Sequence, residues 1–333
     1  MPKLIIQIPC LNESQALPAT LAALPCHIDG IDCIEILIVD DGSTDDTVQV
    51  ARQCGVNHVV RFPSHRGLAR AFAAGLDACL RLGADVIVST DADGQYPAAD
   101  IPRLIAPILR GEADMVIGDR GIGSVRHFSP GKRLLQRLGS NVVSALSGIR
   151  VHDVTSGFRA YSREAALRLN ILTDFTYTLE TIIQSGKKPI TVVTVRTNSN
   201  APTRPSRLFA SVPQYLRRQV PSILRLYVVY QPLKTFTILS LFFLAAGTLI
   251  GARFLTFYVR GTGGGHVQSL ILAAILLIVG FQLFILGLVA DLLAANRRLL
   301  EDTLYRVRKI ELAHPLHPDV DDGQEGKPGQ NAT

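Results

Sequence analysis

The chain contains no tryptophan and only five cysteines among its 333 residues. The cysteines all lie towards the N-terminus, and none of their spacings matches a pair of metal ligands. We therefore expect neither a zinc site nor a disulfide framework. We predict instead that the cysteines are small buried side chains of a reducing compartment. They are Cys10, Cys26, Cys33, Cys54 and Cys79.

Motifs that bind phosphate through glycine-rich loops are also missing. The sequence has no G-x-G-x-x-G after its first predicted strand and no G-x-x-x-x-G-K-[ST] anywhere. Their absence argues against a dinucleotide-dependent enzyme and against a P-loop NTPase. No recognition motif for nucleic acid occurs, so we expect no nucleic-acid partner. The sequence leads almost at once into a predicted strand at residues 4–8, and we expect no signal peptide.

Charge and hydropathy are unevenly distributed along the chain. The net charge of +6 suits anionic partners such as phospholipid surfaces, nucleotides or phosphorylated substrates. The mean hydropathy of +0.25 is high for a soluble protein, because two apolar segments lie towards the C-terminus. They span about residues 235–257 and 267–290, and each is long enough to cross a bilayer. A buried core hairpin is the alternative interpretation of these two segments.

Basic residues flank the two apolar segments more densely than they occupy the turn between them. Arg217, Arg218, Arg225 and Lys234 precede the segments, and Arg297, Arg298, Arg306, Arg308 and Lys309 follow them. The positive-inside rule therefore predicts that both ends of the hairpin are cytoplasmic. We divide the chain into an α/β domain at residues 1–206, amphipathic interfacial helices at 207–232, two transmembrane helices within 233–292, and a basic segment with a disordered tail at 293–333.

The N-terminal part alternates short apolar strands with polar turns and helices. Strands are predicted at residues 3–9, 33–39, 57–62, 85–88 and 114–118, and helices at residues 14–24, 43–54 and 66–82. Ser14 is a predicted N-cap, and Ser43 with Asp46 has the spacing of a capping box. Gly55 and Gly83 are predicted to end the second and third helices. The alternation predicts a mostly parallel sheet covered on both faces.

Three of the predicted strands, the first, second and fourth, end in carboxylates. The fourth strand ends in D-A-D-G-Q. Ligands of open α/β sheets bind beyond the carboxyl ends of the strands. Asp91 and Asp93 could hold a divalent cation there, and Gln95 could add a neutral oxygen. Mg²⁺ and Mn²⁺ prefer such ligands and are commonly shared with substrate phosphates. A solvated turn is the alternative for the two aspartates taken alone.

Five motifs occur in order along this domain. The first strand ends in P-C-L-N-E, the second in V-D-D-G-S-T-D-D-T and the fourth in D-A-D-G-Q; G-D-R follows at residues 118–120, and D-V-T-S-G-F-R-A-Y-S-R-E-A at residues 153–165. Over about residues 3–225 the chain thereby resembles the inverting family-2 glycosyltransferases of the GT-A fold, and within them the polyprenyl-phosphate branch. The resemblance implies a Rossmann-like GT-A domain with a mostly parallel sheet, followed here by a two-helix transmembrane hairpin.

The resemblance also implies roles for individual residues. Asp91, Asp93 and Gln95 would hold Mg²⁺ or Mn²⁺ on the donor diphosphate, and Arg120 would lie where the two substrates meet. The implied nucleotide contacts are Pro9, Leu11, Glu13, Val39, Asp41, Ala92, Arg204 and Arg207. Arg204 and Arg207 match a basic loop that closes over the diphosphate, for which a loop beside an anionic membrane is the alternative.

The acceptor side lies within residues 125–150. Arg133 and Arg137 are four residues apart and share one face of a predicted helix, which suits a lipid phosphate; a solvated helix face is the alternative. Arg120 also belongs to the implied acceptor set, and so does Arg159, which we expect to tie the acceptor wall to the site. Asp153 could act as a general base, although a phosphate monoester with a second pKa near ~6 hardly requires one. Glu180 could face the donor sugar or pair with a neighbouring base.

The implied function is inverting transfer of one sugar from a GDP-mannose-type or UDP-glucose-type donor to dolichyl or undecaprenyl phosphate at the cytoplasmic membrane face. The missing tryptophan argues against processive polysaccharide synthases, which carry Q-x-x-R-W. A catalytically inactive membrane adaptor and a transferase with a non-prenyl acceptor are the alternatives. The complete D-A-D-G-Q motif argues against the adaptor. A second copy of the chain, in a homo-oligomer, is the further candidate partner beside the nucleotide sugar, the polyprenyl phosphate and the membrane.

Overall fold

A computed structural model describes most of the chain. The described residues are 2–121, 139–140, 143–145, 147–151, 153–171, 177–198, 200, 221, 224–225 and 227–313. Much of the predicted interfacial segment and residues 314–333 of the predicted tail lie outside these ranges.

The N-terminal domain alternates strands and helices. The strands are β1 (Lys3–Cys10), β2 (Cys33–Asp40), β3 (His58–Arg61), β4 (Val86–Ser89), β5 (Met115–Asp119), β6 (Arg159–Ser162) and β7 (Val192–Arg196). The helices are α1 (Leu17–Ala22), α2 (Thr47–Gln53), α3 (Leu68–Arg81), α4 (Ile101–Leu109), α5 (Arg163–Arg168) and α6 (Tyr177–Ser185), and a 3₁₀ turn at Ala98–Asp100 precedes α4. The five predicted strands are confirmed to within about two residues at each end. The last two strands were not predicted.

The seven strands form one sheet in the order β3-β2-β1-β4-β6-β5-β7. Every neighbouring pair is parallel except the two pairs that include β6, which runs antiparallel to β4 and β5. The predicted mostly parallel sheet is therefore confirmed. Because β6 is reversed, the loop that enters it, residues 153–158, lies at the edge where β1, β2, β4 and β5 end. That reversal brings a second loop to the site.

Apolar side chains cover both faces of the sheet. Along β1, Leu4, Ile6 and Ile8 point to the face that packs on α1 and α4, whereas Ile5 points to the face that packs on α3 and α6. All four side chains are fully buried. Each such burial contributes about 1.5–3 kcal/mol before the entropy of folding is subtracted. The sheet is therefore a rigid base from which its polar loops project.

The helix ends agree with the predictions better than the helix starts do. Gly55 and Gly83 follow α2 and α3 with φ angles of 77° and 80°, the left-handed conformation expected of a C′ glycine. The predicted caps Ser14 and Ser43 are wrong, because α1 and α2 begin later and neither has a side-chain cap. The Ser43 hydroxyl instead accepts a hydrogen bond from the backbone N–H of Asn12 at 2.8 Å. The loops use these polar groups to bind each other.

Burial of the cysteines was predicted correctly for only two of them. Cys10 and Cys79 are buried in the sheet and in α3, and burial raises the pKa of both thiols. Cys26, Cys33 and Cys54 are exposed. The prediction failed for these three because they lie in loops and at strand and helix ends, where no neighbouring layer covers them.

Two long helices follow the domain: α7 (Pro232–Val259) and α8 (Val267–Ala313), joined through a 3₁₀ turn at Gly263–His266. Both are long and apolar enough to cross a membrane, by length and composition. They pack closely through glycines, since a β-carbon added at Gly280 would lie 2.8 Å from the Leu244 side chain. The Ser240 hydroxyl also donates to the Gly280 carbonyl at 2.7 Å.

Helix α8 continues well beyond its apolar segment and contacts the N-terminal domain. The Tyr305 hydroxyl donates to Glu164 of α5 at 2.6 Å, and the Arg168 guanidinium lies 4.2 Å from the centre of the Tyr305 ring. Arg308 donates to the Asn170 side chain at 2.9 Å. The predicted boundary between residues 292 and 293 therefore falls inside one helix, which joins the apolar hairpin to the α/β domain.

Candidate active site

The D-A-D-G-Q loop follows β4 at the carboxyl edge of the sheet. Gly94 turns the chain there with φ 68°, and the Asp93 carboxylate accepts a hydrogen bond from the backbone N–H of Gln95 at 3.1 Å. The Ala92 carbonyl accepts the Thr20 hydroxyl at 2.8 Å. The loop therefore holds its two acidic side chains on a short, internally bonded turn.

A second loop, which leads into β6, approaches Asp91. A β-carbon added at Gly157 would lie 3.2 Å from one Asp91 carboxylate oxygen, 3.3 Å from the other and 3.2 Å from the Tyr177 hydroxyl. The missing side chain at Gly157 therefore leaves the space that the carboxylate uses. The Gly157 amide donates to the Tyr96 hydroxyl at 2.9 Å, which fastens this loop to the D-A-D-G-Q turn.

Arg120, just after β5, forms a two-point ion pair with Asp153. Its Nε and Nη2 atoms lie 2.7 and 3.0 Å from the two carboxylate oxygens, and Nη2 also donates to the Thr155 hydroxyl at 3.1 Å. The Asp153 side chain is fully buried, and that of Arg120 is 14% exposed. Such a fork holds the guanidinium in one orientation.

Charge accumulates where these loops meet. Burial acts to lower the pKa of Arg120, but Tyr96, Asp153 and Asp91 raise it, and the resulting pKa lies above the ordinary value. Arg120 therefore stays charged at any physiological pH. Its guanidinium carbon lies 5.8 Å from the centre of the Tyr96 ring, whose other neighbour is Phe158 at 5.2 Å. A fixed cation and the Asp91 carboxylate thus lie around one aromatic ring.

Arg159 is buried behind this edge. Its guanidinium donates to the backbone carbonyls of Ser156, Thr178 and Val154 at 2.7, 2.8 and 2.9 Å, and to the Thr181 hydroxyl at 2.6 Å. Its side chain is fully buried. These contacts favour the interpretation that Arg159 ties the 153–158 loop to α6 over direct contact with an acceptor.

The loops after β1 and β2 bind each other at the same edge. The Asn12 side chain accepts the Thr44 amide, and the Thr47 hydroxyl accepts the Glu13 amide, both at 2.8 Å. Asn12 has φ 55°, which is unusual for a residue other than glycine. Pro9 and Val39 lie directly opposite each other where these two strands end. The pairing brings two separate predicted motifs together at this edge of the sheet.

Asp41 contacts a third loop, at the start of α3. Its carboxylate accepts the backbone amides of Arg66 and Gly67 at 2.7 and 2.9 Å and lies 2.8 Å from the His65 ring nitrogen. Asp40, one residue earlier, is buried and lies 3.3 Å from Arg61. Asp41 therefore positions the loop before α3, a role that the sequence did not reveal.

The structure brings most of the sequence-predicted site residues to one edge of the sheet. These are Pro9, Leu11, Glu13, Val39, Asp41, Asp91, Ala92, Asp93, Gln95 and Arg120. Arg133, Arg137, Arg204 and Arg207 lie outside the described residues, so their predicted roles stay predictions. Glu180 is fully buried on α6, with the Gln184 side chain at 3.3 Å.

Four contributors to the site were missed: Thr20, Tyr96, Gly157 and Asn200. Asn200 binds the D-A-D-G-Q turn twice, its amide donating to the Gln95 carbonyl and its side chain to the Gly94 carbonyl, both at 2.9 Å. Gly157 stands inside a recognised motif and Tyr96 directly follows one, so their positions were a usable signal. Thr20 and Asn200 carried none, because only folding brings them to this turn.

The oxygen donors of this loop fit a hard divalent cation. Among the described residues, no three His, Cys, Asp or Glu side chains group closely enough to hold a metal ion on their own. Asp91, Asp93 and Gln95 would therefore supply part of a coordination shell, completed by other oxygens. That is the usual situation for Mg²⁺ or Mn²⁺ shared with a substrate phosphate.

Comparison with known proteins identifies relatives of the α/β domain. A family model described as glycosyl transferase family 2 matches residues 5–169. Polyprenol monophosphomannose synthase of Mycolicibacterium smegmatis is 35% identical over 175 residues, which are 50% of this chain and 64% of that protein. Undecaprenyl-phosphate mannosyltransferase of Micrococcus luteus is 32% identical over 171 residues, 49% of this chain and 68% of that protein. The match thus covers less than two thirds of the mycobacterial synthase.

Solved structures show the same fold. Glucosyl-3-phosphoglycerate synthase from Mycobacterium tuberculosis, in complex with Mn²⁺, UDP and glucosyl-3-phosphoglycerate, superposes with a TM-score of 0.50 at 21% identity. The superposition covers 68% of this chain and 79% of that one. At this identity the likeness concerns the fold alone. The ordered motifs, the sheet topology and the matched relatives agree. The chain belongs to glycosyltransferase family 2 and has the GT-A fold.

Proposed function

We propose that the protein transfers one sugar from a nucleotide-diphosphate donor to a polyprenyl phosphate, with inversion at the anomeric carbon. The observation that carries this proposal is the placement of Asp91 beside the Arg120–Asp153 pair, around Tyr96. A carboxylate for a cation-bound diphosphate then lies next to a fixed cation for a second anionic substrate. The names of the mycobacterial and Micrococcus relatives support polyprenyl phosphate as that second substrate.

Asp91, Asp93 and Gln95 would hold Mg²⁺ or Mn²⁺. When bound, the cation would neutralise charge on the departing diphosphate. The nucleotide side of the site would be formed by Pro9, Leu11, Glu13, Val39, Asp41 and Ala92, and Arg204 and Arg207 would close over the diphosphate from the chain beyond β7.

The acceptor itself supplies the nucleophile. An oxygen of the lipid phosphate forms a bond to the anomeric carbon from the side opposite the diphosphate, whose bond to that carbon breaks as the nucleoside diphosphate departs. Because the second pKa of a phosphate monoester is near ~6, the acceptor is already ionised at neutral pH and no general base is needed. Asp153 is instead committed to Arg120.

Arg120 would orient the acceptor phosphate. Asp153 and Thr155 engage its Nε and Nη2 atoms, and Nη1 makes no hydrogen bond to any residue that the structure describes. A guanidinium fixed by two partners can offer its remaining donors to a phosphate at little cost in ordering. Arg133 and Arg137 would complete the acceptor set.

The membrane supplies the acceptor. Helices α7 and α8 have the length and composition of membrane spans, and α8 contacts the catalytic domain directly. The basic residues on both sides of the hairpin support a cytoplasmic catalytic domain, where GDP-mannose and UDP-glucose are made. The site would then lie beside the leaflet from which a lipid phosphate projects.

The direct test uses the full chain in lipid nanodiscs with undecaprenyl or dolichyl phosphate and labelled GDP-mannose, UDP-glucose or UDP-N-acetylglucosamine. We expect labelled lipid from one donor, loss of product with EDTA, and a fall of about 100-fold or more for Asp91→Asn. Asp77→Asn, on the exposed side of α3, is the matched control and should keep normal turnover.

Two different negative results of this test would point to two different alternative functions. Metal-dependent nucleotide binding without labelled lipid from any donor would indicate a transferase with another acceptor. A folded protein that binds neither nucleotide nor metal would indicate an inactive adaptor. Either result would overturn the proposal.

A further inference from the structure

The part of α8 beyond its apolar membrane segment presents two different faces. One face holds Glu301, Tyr305 and Arg308, which contact the catalytic domain. Another face is apolar and open. Its large side chains are between 52% and 69% exposed: Leu293, Leu300, Val307 and Ile310. Apolar residues of this size are unusual on a helix that already has a docked side, and together they form a continuous stripe.

The stripe has the spacing of a coiled-coil seam. Leu293, Leu300 and Val307 recur every seven residues, and Asn296, Thr303 and Ile310 recur three residues after them. We call these six positions the seam. At 3.6 residues per turn, the centre of the seam lies about 130° around the helix from the docked face. The seam therefore points away from the protein's own catalytic domain.

Lipid cannot cover the whole seam. The uncharged segment of α8 ends at Ala290, and α8 continues from there as one uninterrupted helix. With a rise of about 1.5 Å per residue, Val307 lies about 25 Å further along the axis. A helix that leaves the bilayer lengthwise carries these side chains out of the hydrocarbon region. Their burial requires protein.

We propose that the seam pairs with the seam of a second copy of this chain, as a parallel two-helix coiled coil on the membrane-proximal side of the catalytic domains. The parallel direction follows from the hairpin, since two copies inserted in the same sense into one membrane can only be related by an axis along the membrane normal.

The residues beside the seam are complementary in this arrangement. In a parallel pair, the residue just before Leu300 or Val307 in one copy faces the residue whose number is higher by five in the other copy. Leu299 then faces Leu304 of the second copy, and Arg306 faces Glu311 of the second copy. Within one chain Arg306 lies 3.1 Å from Asp302, and Glu311 lies 2.9 Å from Arg81, so the new pairs would extend existing charge networks.

Cysteine cross-linking tests the pairing directly. The three exposed native cysteines are first replaced by serine: Cys26, Cys33 and Cys54. Leu300→Cys and Val307→Cys are then oxidised in proteoliposomes at low protein density. We expect disulfide-linked dimers at least tenfold more abundant than for Arg298→Cys, which lies on the charged face of the same helix turn. Equal yields at all three positions would overturn the proposal.

A second measurement does not depend on disulfide geometry. The full chain in mild detergent is expected to have the mass of a dimer, and Leu300→Glu with Val307→Glu the mass of a monomer. The double variant should bind nucleotide within about twofold of the parent, which shows that the domain is folded. Arg298→Glu should remain dimeric. A monomeric parent protein would overturn the proposal, and seam cysteines protected from maleimide in that monomer would indicate cover by another segment of the same chain.

Discussion

The pairing of Arg120 with Asp153 determines what each side chain can do. From the sequence, Asp153 was a candidate general base. In the structure its carboxylate is fully buried and both of its oxygens accept from one guanidinium. These contacts favour the interpretation that Asp153 is the counter-ion that keeps Arg120 oriented.

Replacing Asp153 with asparagine is expected to lower stability as well as turnover. The substitution leaves the Arg120 charge buried without its counter-ion, and breaking such a pair typically costs about 3–5 kcal/mol. Chemical denaturation of the full chain measures the change in the free energy of unfolding. Glu112→Gln, which removes the partner of the exposed Arg110, is the control and should change stability little. A stable Asp153→Asn protein whose pH–rate profile has lost its basic group would instead support the general-base role.

Gly157 shows how the absence of a side chain can shape the site. Gly157→Ala would place a methyl carbon 3.2–3.3 Å from both Asp91 oxygens. The carboxylate must shift by a few tenths of an ångström, so we expect metal-dependent nucleotide affinity to fall about tenfold, since small misplacements of a ligand group are costly. Titration calorimetry with and without Mn²⁺ measures this change. Gly265→Ala, which meets nothing within 4 Å, should bind as the parent does.

At the scale of elements, the loops after β1 and β2 are joined by hydrogen bonds. Asp45 links the loop after β2 to the loop after β1, because its carboxylate accepts the Ser14 amide at 3.2 Å and also bonds Thr47. Burial acts to raise the pKa of Asp45, but the hydrogen bonds from Thr47 and Ser14 lower it from 3.8 to about 2. The ionised carboxylate is therefore the form that stabilises the paired loops.

That shift predicts a specific dependence of stability on pH. The contribution of Asp45 is complete above about pH 3.8 and is lost as the pH falls towards 2, because the folded state then has to take up the proton that the unfolded state already holds. Asp45→Asn should therefore show a weaker loss of unfolding free energy between pH 4 and pH 2 than the parent. Asp46→Asn serves as the control with the parental slope. Identical slopes for all three proteins would contradict the assignment.

The hairpin is a second case in which an element depends on close backbone approach. Gly280→Ala would place a carbon 2.8 Å from the Leu244 side chain and 3.0 Å from its backbone nitrogen, whereas Gly251→Ala meets only the Ala273 methyl at 3.8 Å. We expect Gly280→Ala to destabilise by about 1–3 kcal/mol through overpacking. Gly251→Ala should be neutral or slightly stabilising. Thermal unfolding in detergent compares the two, and equal midpoints would contradict this packing.

At the scale of the whole molecule, α8 connects the hairpin to the catalytic domain. Its last turns contact α3, α5 and the segment after α5 through Glu311, Tyr305 and Arg308. Lys188, after α6, lies 3.1 Å from Glu301. One helix therefore carries both the apolar segment and the surface on which the domain rests, so the domain cannot rotate freely about the hairpin while these contacts last.

Weakening this docked surface should affect the membrane-bound acceptor more than the donor. Tyr305→Phe with Arg308→Ala removes hydrogen bonds to Glu164, Leu169 and Asn170. We expect at least threefold lower turnover with nanodisc-embedded polyprenyl phosphate, faster amide hydrogen exchange in α5, and unchanged nucleotide affinity. Arg298→Ala is the control, since this exposed residue takes no part in the contacts that are removed. Unchanged exchange in α5 would show that these contacts do not hold the helix.

Local signals predicted much of the α/β domain. The strands from β1 to β5 are short apolar runs, the glycines at helix ends have positive φ, and the acidic residues directly follow the strands. Each of these features depends on residues only a few positions away, so it can be predicted from the local sequence. The motif order extended this to the GT-A fold and to the set of residues gathered at one sheet edge.

Contacts between residues far apart in the sequence could not be predicted from local sequence patterns. The reversal of β6 brings residues 153–158 beside the D-A-D-G-Q loop, and Arg120 meets Asp153 across a separation of 33 residues. The local sequence around one residue of such a pair does not indicate which residue it will contact. The free energy of the pair depends on burial that exists only after the sheet has formed. The same holds for α8: its apolar run predicted a membrane span, but which of its faces the domain covers depends on contacts with residues more than a hundred positions earlier.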